Sequence, residues 1–392
     1  STVENLTGGL AGDTFNLNAN LAGTADGAAG DDNFNLASAV AGTVVGGAGA
    51  DTLTGSNSAT TFTVTAADAG AAANGGGSVG FTTIETLAGG TGDDVFAVNV
   101  SSAMTMAGNA GNDDFQLGAG VTAANLQGGA GSDEVLGAAG VTTFTLTAAD
   151  QGTAQNGAGT ATFTSVENLT GNAGNDVFNL AFNLSGTAAG GDGDDGFNLG
   201  TAVNATVAGG NGTDSLVGTA TASTFTVAGA GSGSVTNGAG TVQFSTLENL
   251  TGGAEADTFN LNANLAGTAD GAGGDDQFNL AAAVAGTVVG GAGADTLTAS
   301  NSATTFTVTA ADAGTAANGA GSVGFSTIEA LAGGSANDIF AVNASTPLAM
   351  DGNGGNDAFN LASGVNASGL LDGDKGDDEF QLGARVAAAK VQ

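Results

Sequence analysis

Short stretches in which apolar and polar residues alternate recur along the whole chain, and glycine-rich segments separate them. In residues 14–17 (TFNL) a period of two places Phe15 and Leu17 on one face, as in a half-buried strand. The same alternation in residues 20–25 turns Leu21 and its alternate neighbours toward the same interior. Each repeating unit is therefore predicted to consist of a turn, a short strand, a second turn and a second short strand.

A turn of the form G-G-x-G-x-D, followed by x-Phe/Leu/Val-x-Leu, occurs fifteen times, and its aspartates are mostly 19 residues apart. Self-similarity at a period near 20 residues is typical of solenoids. The pattern predicts an all-β fold, a right-handed parallel β-roll or β-solenoid with rungs of about 19 residues. The turn aspartates are Asp13, Asp32, Asp51, Asp94, Asp113, Asp133, Asp176, Asp195, Asp214, Asp257, Asp276, Asp295, Asp338, Asp357 and Asp378.

A longer period of about 81 residues groups these turns in threes, because every third gap between aspartates widens to 43 residues. We predict a single continuous solenoid over residues 1–392. Its modules are approximately 8–88, 89–170, 171–251, 252–332 and an incomplete 333–392. Residues 1–6 match interior segments such as 165–169, so the first residue falls inside a module. We therefore expect a segment of a longer repeat protein, or a subunit whose ends complete one another in a polymer.

Phenylalanine recurs at the first inward position after the aspartate, and such rings would stack about 4.8 Å apart as a structural column. Asn or Gln often follows at the next, outward position, as in Asn16 and Asn35, which predicts an amide ladder along the stacked strands. The phenylalanines of the predicted column are Phe15, Phe34, Phe96, Phe115, Phe178, Phe197, Phe259, Phe278, Phe340, Phe359 and Phe380.

Each 43-residue gap is predicted to hide a fourth turn that lacks a carboxylate. Residues 74–81 fit the motif with Val79 at the aspartate position, and Ala161, Val242 and Val323 stand in the same place two residues before a phenylalanine. These turns are not expected to bind metal. The sequence leaves open whether the extra strand and loop ahead of them stack as a rung or bulge outward.

Composition narrows the chemistry, because the chain has no Cys, His, Trp or Tyr. Disulfides, thiolate or imidazole nucleophiles and the usual general base at neutral pH are thereby absent, and we predict that the protein is not an enzyme. A formal charge of −35 should repel nucleic acid and anionic membranes and favour cations. The three basic residues are Lys375, Arg385 and Lys390, so internal ion pairs cannot neutralise the carboxylates.

The turns predict calcium as the partner of those carboxylates. Glycines allow main-chain carbonyls to point between stacked turns, and an all-oxygen set from flexible loops favours Ca²⁺ over the stricter Mg²⁺. Ions between the three turns of each module would number about ten, and an unbroken column would hold fourteen. A second acidic series lies four residues before each module's first turn and either completes that first site or is solvated: Glu4, Glu85, Glu167, Glu248 and Glu329.

These residues resemble the repeats-in-toxin (RTX) family, whose nonapeptide G-G-x-G-x-D-x-U-x builds a calcium-bound parallel β-roll. Residues 46–54 and 190–198 match the nonapeptide in full. The resemblance implies that the fifteen aspartates and the turn carbonyls hold the ions. Typical members repeat the nonapeptide in tandem with ions on both edges, whereas this chain carries it once per rung. We therefore expect one column of ions.

The leading expectation is a non-enzymatic, secreted bacterial or archaeal protein, extracellular or at the cell surface. It would form a calcium-stiffened rod in a surface fibre, filament, surface layer, biofilm matrix or giant adhesin. Calcium and a homo-oligomer or filament formed end to end are the expected partners, with no nucleic acid and no membrane insertion. Alternatives are an ice- or glycan-binding solenoid module and the secretion-linked repeat tail of an exported hydrolase.

Overall fold

A computed structural model describes residues 4–121 and 123–391. Residues 1–3, which belong to the predicted match with interior segments, lie outside this range. All regular secondary structure within the described residues is β-strand, with no helix. The chain forms two compact units, Ser1–Asp195 and Gly196–Gln392.

The described residues of unit 1 form 21 strands in two sheets. Their bounds are β1 Leu6–Thr7, β2 Thr14–Leu17, β3 Thr24–Ala29, β4 Asn33–Leu36, β5 Gly42–Ala48, β6 Thr52–Thr54, β7 Thr60–Ala66, β8 Ala69–Asn74, β9 Gly77–Thr82, β10 Thr86–Ala88, β11 Val95–Val98, β12 Thr105–Ala110, β13 Asp114–Leu117, β14 Ala123–Ala130, β15 Glu134–Leu136, β16 Thr142–Ala148, β17 Gln151–Asn156, β18 Gly159–Thr164, β19 Asn168–Ala173, β20 Val177–Leu180 and β21 Thr187–Asp192. Sheet 1 has the order β1-β3-β5-β9-β8-β7-β11-β13-β15-β19-β21. Sheet 2 has the order β2-β4-β6-β10-β12-β14-β18-β17-β16-β20.

Unit 2 repeats this plan with 22 strands. Their bounds are β22 Gly196–Leu199, β23 Ala205–Asn211, β24 Ser215–Val217, β25 Ser223–Gly229, β26 Ser232–Asn237, β27 Gly240–Ser245, β28 Asn249–Thr251, β29 Thr258–Leu261, β30 Thr268–Asp270, β31 Gln277–Leu280, β32 Gly286–Val289, β33 Thr296–Thr298, β34 Thr304–Ala310, β35 Ala313–Asn318, β36 Gly321–Ser326, β37 Ala330–Ala332, β38 Ile339–Val342, β39 Ala349–Asp351, β40 Ala358–Leu361, β41 Asn366–Asp372, β42 Glu379–Leu382 and β43 Ala387–Val391. Sheet 3 has the order β23-β27-β26-β25-β29-β31-β33-β37-β39-β41-β43. Sheet 4 has the order β22-β24-β28-β30-β32-β36-β35-β34-β38-β40-β42.

The rung predicted from the period is confirmed. Most strands pair in parallel with the strand one rung away, and Phe15 lies opposite Phe34 at a separation of 19 residues. Outside the 43-residue gaps, consecutive strands of the chain alternate between the two sheets of a unit, so each turn there carries the backbone from one sheet to the other. This is the architecture of a parallel β-solenoid.

The 43-residue gap contains a three-stranded antiparallel meander in the plane of one sheet, which is neither a stacked rung nor a bulge. In sheet 1, β8 pairs antiparallel with β7 and β9, while β9 continues the preceding rung through β5 and β7 continues into β11. Equivalent meanders are β16–β18, β25–β27 and β34–β36.

The prediction of a fourth turn at Val79 is therefore wrong. Gly75 and Gly76, with φ of 51° and 100°, form the two-residue hairpin turn between β8 and β9, a conformation that glycine adopts readily. Val79 lies in β9 and is buried, as are its counterparts in β18, β27 and β36, which are Ala161, Val242 and Val323.

Each meander also moves the aspartate turns to the opposite edge of the solenoid. Within unit 1, Asp32 lies between β3 of sheet 1 and β4 of sheet 2, whereas Asp113 lies between β12 of sheet 2 and β13 of sheet 1. Because all strands of sheet 1 except β8 run in the same direction, turns leaving that sheet and turns entering it follow opposite edges. The aspartates of unit 1 therefore do not form one column, contrary to the prediction.

The core is built from stacked phenylalanines at the predicted spacing. Ring centroids of neighbouring rungs are 4.5–5.0 Å apart with nearly parallel planes. The stacks follow the switch of edges, since Phe15 and Phe34 lie in sheet 2 and Phe96 and Phe115 in sheet 1. Outside the core the amide ladder is present, as Asn35 Nδ2 donates to Asn16 Oδ1 over 3.0 Å.

Replacing Phe115 by alanine is expected to lower the free energy of unfolding by about 3–5 kcal/mol, because this fully buried ring stacks on Phe96 and its loss leaves a cavity. Chemical denaturation measures the change. Phe182→Ala is the control, since Phe182 is 45 % exposed and its removal should cost less than about 1 kcal/mol. Equal losses in the two variants would contradict this description of the core.

Candidate metal-binding columns

Most aspartate turns contain two residues with positive φ that let the backbone reverse within a few residues. Before Asp51, Gly47 and Gly49 have φ of 114° and 146°, values that L side chains rarely adopt. In three other turns the first of these places is taken by an asparagine, Asn109, Asn172 or Asn353, a residue that tolerates left-handed backbone. The sequence folds locally into a narrow turn that ends on the aspartate.

The aspartates of successive turns are joined by hydrogen bonds between rungs. The backbone N–H of one aspartate donates to Oδ1 of the aspartate in the next turn, at 2.7 Å from Asp13 to Asp32 and 2.8 Å from Asp32 to Asp51. Seven further pairs repeat this bond at 2.7–2.8 Å. One carboxylate oxygen thus satisfies a buried main-chain donor, which is a structural role in itself.

These hydrogen bonds join the aspartates of each module into a ladder. Each ladder that follows a meander begins with a hydroxyl residue in place of an aspartate. Thr60 N donates to Asp94 Oδ1 over 2.6 Å, and Thr142, Ser223 and Thr304 do the same for the next three first-turn aspartates. These four residues are buried and mark the turns without a carboxylate. The sequence contains a signal for these turns, because Thr60 precedes Phe62 by two residues, just as Asp13 precedes Phe15.

The glutamates end the ladders. Glu85 Oε2 accepts the N–H of Asp51 over 2.8 Å, and Glu167, Glu248 and Glu329 accept the N–H of Asp133, Asp214 and Asp295 at the same distance. Each glutamate therefore belongs to the third turn of the preceding module. The two alternatives considered from the sequence, completion of the following first turn and a free solvated side chain, are both wrong for these four residues.

The second carboxylate oxygen is the unusual feature of the turns. Thirteen of the fifteen aspartates are at most 1 % exposed, while Asp13 and Asp378 are half-buried. In four first turns Oδ2 accepts an N–H, for example from Gly90 to Asp94 over 2.8 Å. Elsewhere Oδ2 is buried without a hydrogen-bond donor, in Asp32, Asp51, Asp113, Asp133, Asp176, Asp276, Asp295 and Asp357.

In most turns Oδ2 lies beside a main-chain carbonyl of the next rung, and a glycine makes room for both. A Cβ added to Gly333 would stand 2.6 Å from Asp338 Oδ2 and 2.6 Å from the carbonyl oxygen of Gly352. The glycine five residues before the aspartate has the same two neighbours in other turns, among them Gly27, Gly89, Gly108 and Gly271. A carboxylate oxygen and a carbonyl oxygen therefore face one small space between successive turns.

Burial makes the charged form of these carboxyls costly. Burial raises the pKa of Asp113, Asp133, Asp176, Asp276 and Asp357 to about 6, and neighbouring carboxylates add to the shift. The pKa of Asp51 and of Asp295 is also raised, by burial first and then by the adjacent glutamates. A buried acceptor without a donor and with a raised pKa requires either a proton or a cation.

The donor set fits a hard cation that accepts main-chain ligands. Within the described residues no three acidic side chains gather so as to hold a metal by themselves. An ion at these turns would instead be held by one carboxylate from each rung and by turn carbonyls. Such an all-oxygen set suits Ca²⁺, which would supply the positive charge that the buried oxygens lack.

Neither a family model nor any curated protein sequence matches this chain. Among the described residues there is also no helix with the length and apolar content needed to cross a membrane.

Proposed function

We propose that this chain is a non-enzymatic, calcium-stabilised structural repeat protein that forms a stiff element of an extracellular or cell-surface assembly. The observation that supports it most is the series of buried Oδ2 atoms without donors, each beside a carbonyl oxygen of the next rung. The fifteen turn aspartates are the proposed ligands.

Electrostatics gives calcium a direct role in folding. Carboxylates one rung apart, at about 4.8 Å, repel by about 0.9 kcal/mol per pair in water and about 3.5 kcal/mol at an effective dielectric near 20. The chain has three basic residues against 38 acidic ones, so internal cations cannot offset this repulsion. Divalent ions between the turns reverse it, and their binding energy becomes folding energy because the unfolded chain lacks a formed site.

The composition of the sites favours the outside of the cell. Each gap between turns offers only one or two carboxylates, and calcium sites with few charges bind in the range of about 10⁻⁴–10⁻³ M that is typical of extracellular modules. The solenoid has regular rungs and few chemical outliers, which suits a spacer or filament rather than a catalyst. End-to-end association of copies is part of this proposal.

Calcium added to chelator-treated protein is expected to convert a largely unfolded chain to β-structure, with about ten or more ions bound. Far-UV circular dichroism follows the conversion, and metal analysis after equilibrium dialysis counts the ions. Mg²⁺ at the same ionic strength is the control, because screening alone would act equally for both metals. A chain that is already β-rich in chelator and does not change with calcium would rule out the proposal.

A further inference from the structure

The third turn of each complete module does not face another aspartate turn. The chain that follows it is the crossing from the meander to the next short strand, and in unit 1 this crossing runs from β9 to β10 beside Asp51. Asp51 is fully buried and its Oδ2 has no hydrogen-bond donor, and the same holds for Asp133 and Asp295. The unsatisfied oxygen is therefore directed at a gap that the aspartate motif does not explain.

A residue in strained backbone turns its carbonyl toward this gap. Thr83 has a φ of 51°, and its equivalents Ser165, Thr246 and Thr327 have φ of 51°, 50° and 48°. Left-handed backbone is unfavourable for residues other than glycine, and most of all for a β-branched residue such as threonine. A Cβ on Gly46 would collide with the Thr83 carbonyl oxygen and would stand 2.5 Å from Asp51 Oδ2, so both oxygens face the same point.

The hydroxyl of the same residue holds this geometry in place. Thr83 Oγ1 accepts the N–H of Gly47 over 2.8 Å and donates to the carbonyl of Thr82. Likewise, Thr246 Oγ1 and Thr327 Oγ1 accept the N–H of Gly210 and of Gly291, and each donates to the carbonyl of the residue before it. The positive φ recurs after all four complete modules and the two hydroxyl bonds after three of them, which indicates a repeated site.

The glutamate two residues further on adds a second carboxylate. Glu85 Oε2 accepts the N–H of Asp51, a bond that the neutral amide oxygen of a glutamine could accept equally well. A carboxylate here instead brings a second negative charge beside a buried one, which is unfavourable unless a cation lies between them. The opposite end of the ladder carries no such charge, because Thr60 stands there.

We propose that each complete module has an additional cation site at its end, formed by the third-turn aspartate, the carbonyl of the left-handed Thr or Ser, and the glutamate. The proposal rests on the calcium-binding function proposed above. The four sites are Asp51–Thr83–Glu85, Asp133–Ser165–Glu167, Asp214–Thr246–Glu248 and Asp295–Thr327–Glu329. They take a hard divalent cation, of which Ca²⁺ is the probe, and they add four ions to those held between aspartate turns.

The test is the number of calcium ions bound by the full chain with all four glutamates replaced by glutamine, E85Q/E167Q/E248Q/E329Q. Equilibrium dialysis with metal analysis is expected to find four ions fewer than in the unaltered protein. The control variant E255Q/D374N/D377N/E379Q removes the same number of charges from exposed side chains and should bind the unaltered number.

A single variant keeps the test decisive if the fourfold variant fails to fold. Native mass spectrometry of E167Q is expected to show one calcium ion fewer, since glutamine preserves the hydrogen bond to Asp133 and removes only the charge. Glutamine variants that bind the unaltered number of ions would overturn the end sites and leave the calcium-dependent solenoid standing. An unaltered protein that binds no calcium would instead refute the proposed function, and the end sites with it.

Discussion

Alanine in place of Gly333 is expected to destabilise the protein by about 3 kcal/mol or more and to remove the ion site of that turn. Its Cβ would stand 2.6 Å from both Asp338 Oδ2 and the carbonyl oxygen of Gly352. Neither neighbour can move freely, because Asp338 is buried and hydrogen-bonded and Gly352 belongs to the next turn of the backbone. Overpacking against fixed atoms costs about 1–3 kcal/mol, and the lost ion adds to that cost.

Gly324→Ala is the matched control, since no atom lies within 4 Å of the Cβ that it would add and its φ is not positive. The same chemical change in strand β36 should therefore alter stability by less than about 1 kcal/mol, and reduced chain entropy could even make it favourable. Chemical denaturation in calcium compares the two variants. If G333A were as stable as G324A, the space between turns would not be filled by oxygen ligands in the way described.

Much of this fold follows from local repetition. The period of two in TFNL-like segments and the 19-residue step predict the strands, their parallel register and the phenylalanine spacing, because each rung meets a near copy of itself. The same repetition predicts the positions of the turn aspartates. Thirteen are buried at the junctions between rungs, as expected of residues that recur with the turn.

The 43-residue segments could not be predicted in the same way. Alternation in residues 74–82 has the same appearance whether the strand runs parallel or antiparallel, and Gly75-Gly76 suits a solenoid turn as well as a hairpin. Glu85 shows the consequence. It lies nine residues before Asp94 in sequence, but the meander between Asp51 and Glu85 places it on the rung that follows Asp51, although these two residues are 34 positions apart.

The meander changes how the negative charge is distributed along the solenoid. Within unit 1, the turns of Asp13, Asp32 and Asp51 follow one edge, and those of Asp94, Asp113 and Asp133 follow the other. Each run of carboxylates is thereby limited to three aspartates and one glutamate. Short runs on alternate edges accumulate less repulsion than one long column would, because screening in salt confines the interaction to about 8–10 Å.

Acidification is expected to stabilise the calcium-free protein, which is the opposite of the usual behaviour of aspartates that are paired in a native structure. Five buried carboxyls have pKa values raised to about 6, so the folded state binds their protons more tightly than the unfolded chain does. Their contribution is fully present below the unfolded pKa near 4, and it is lost as the pH rises through about 6.

In chelator, we expect the β-structured fraction of the protein to be larger at pH 5 than at pH 8. In calcium the gain should vanish or reverse, because protons then displace the ion from the same oxygens. Circular dichroism over this range, with and without calcium, measures both effects. Asp113→Asn removes one of the five groups and should make the pH dependence in chelator less steep, whereas exposed Asp377→Asn should leave it unchanged. Stability that increases with pH in the calcium-free protein would show that the buried carboxyls are satisfied by the fold alone.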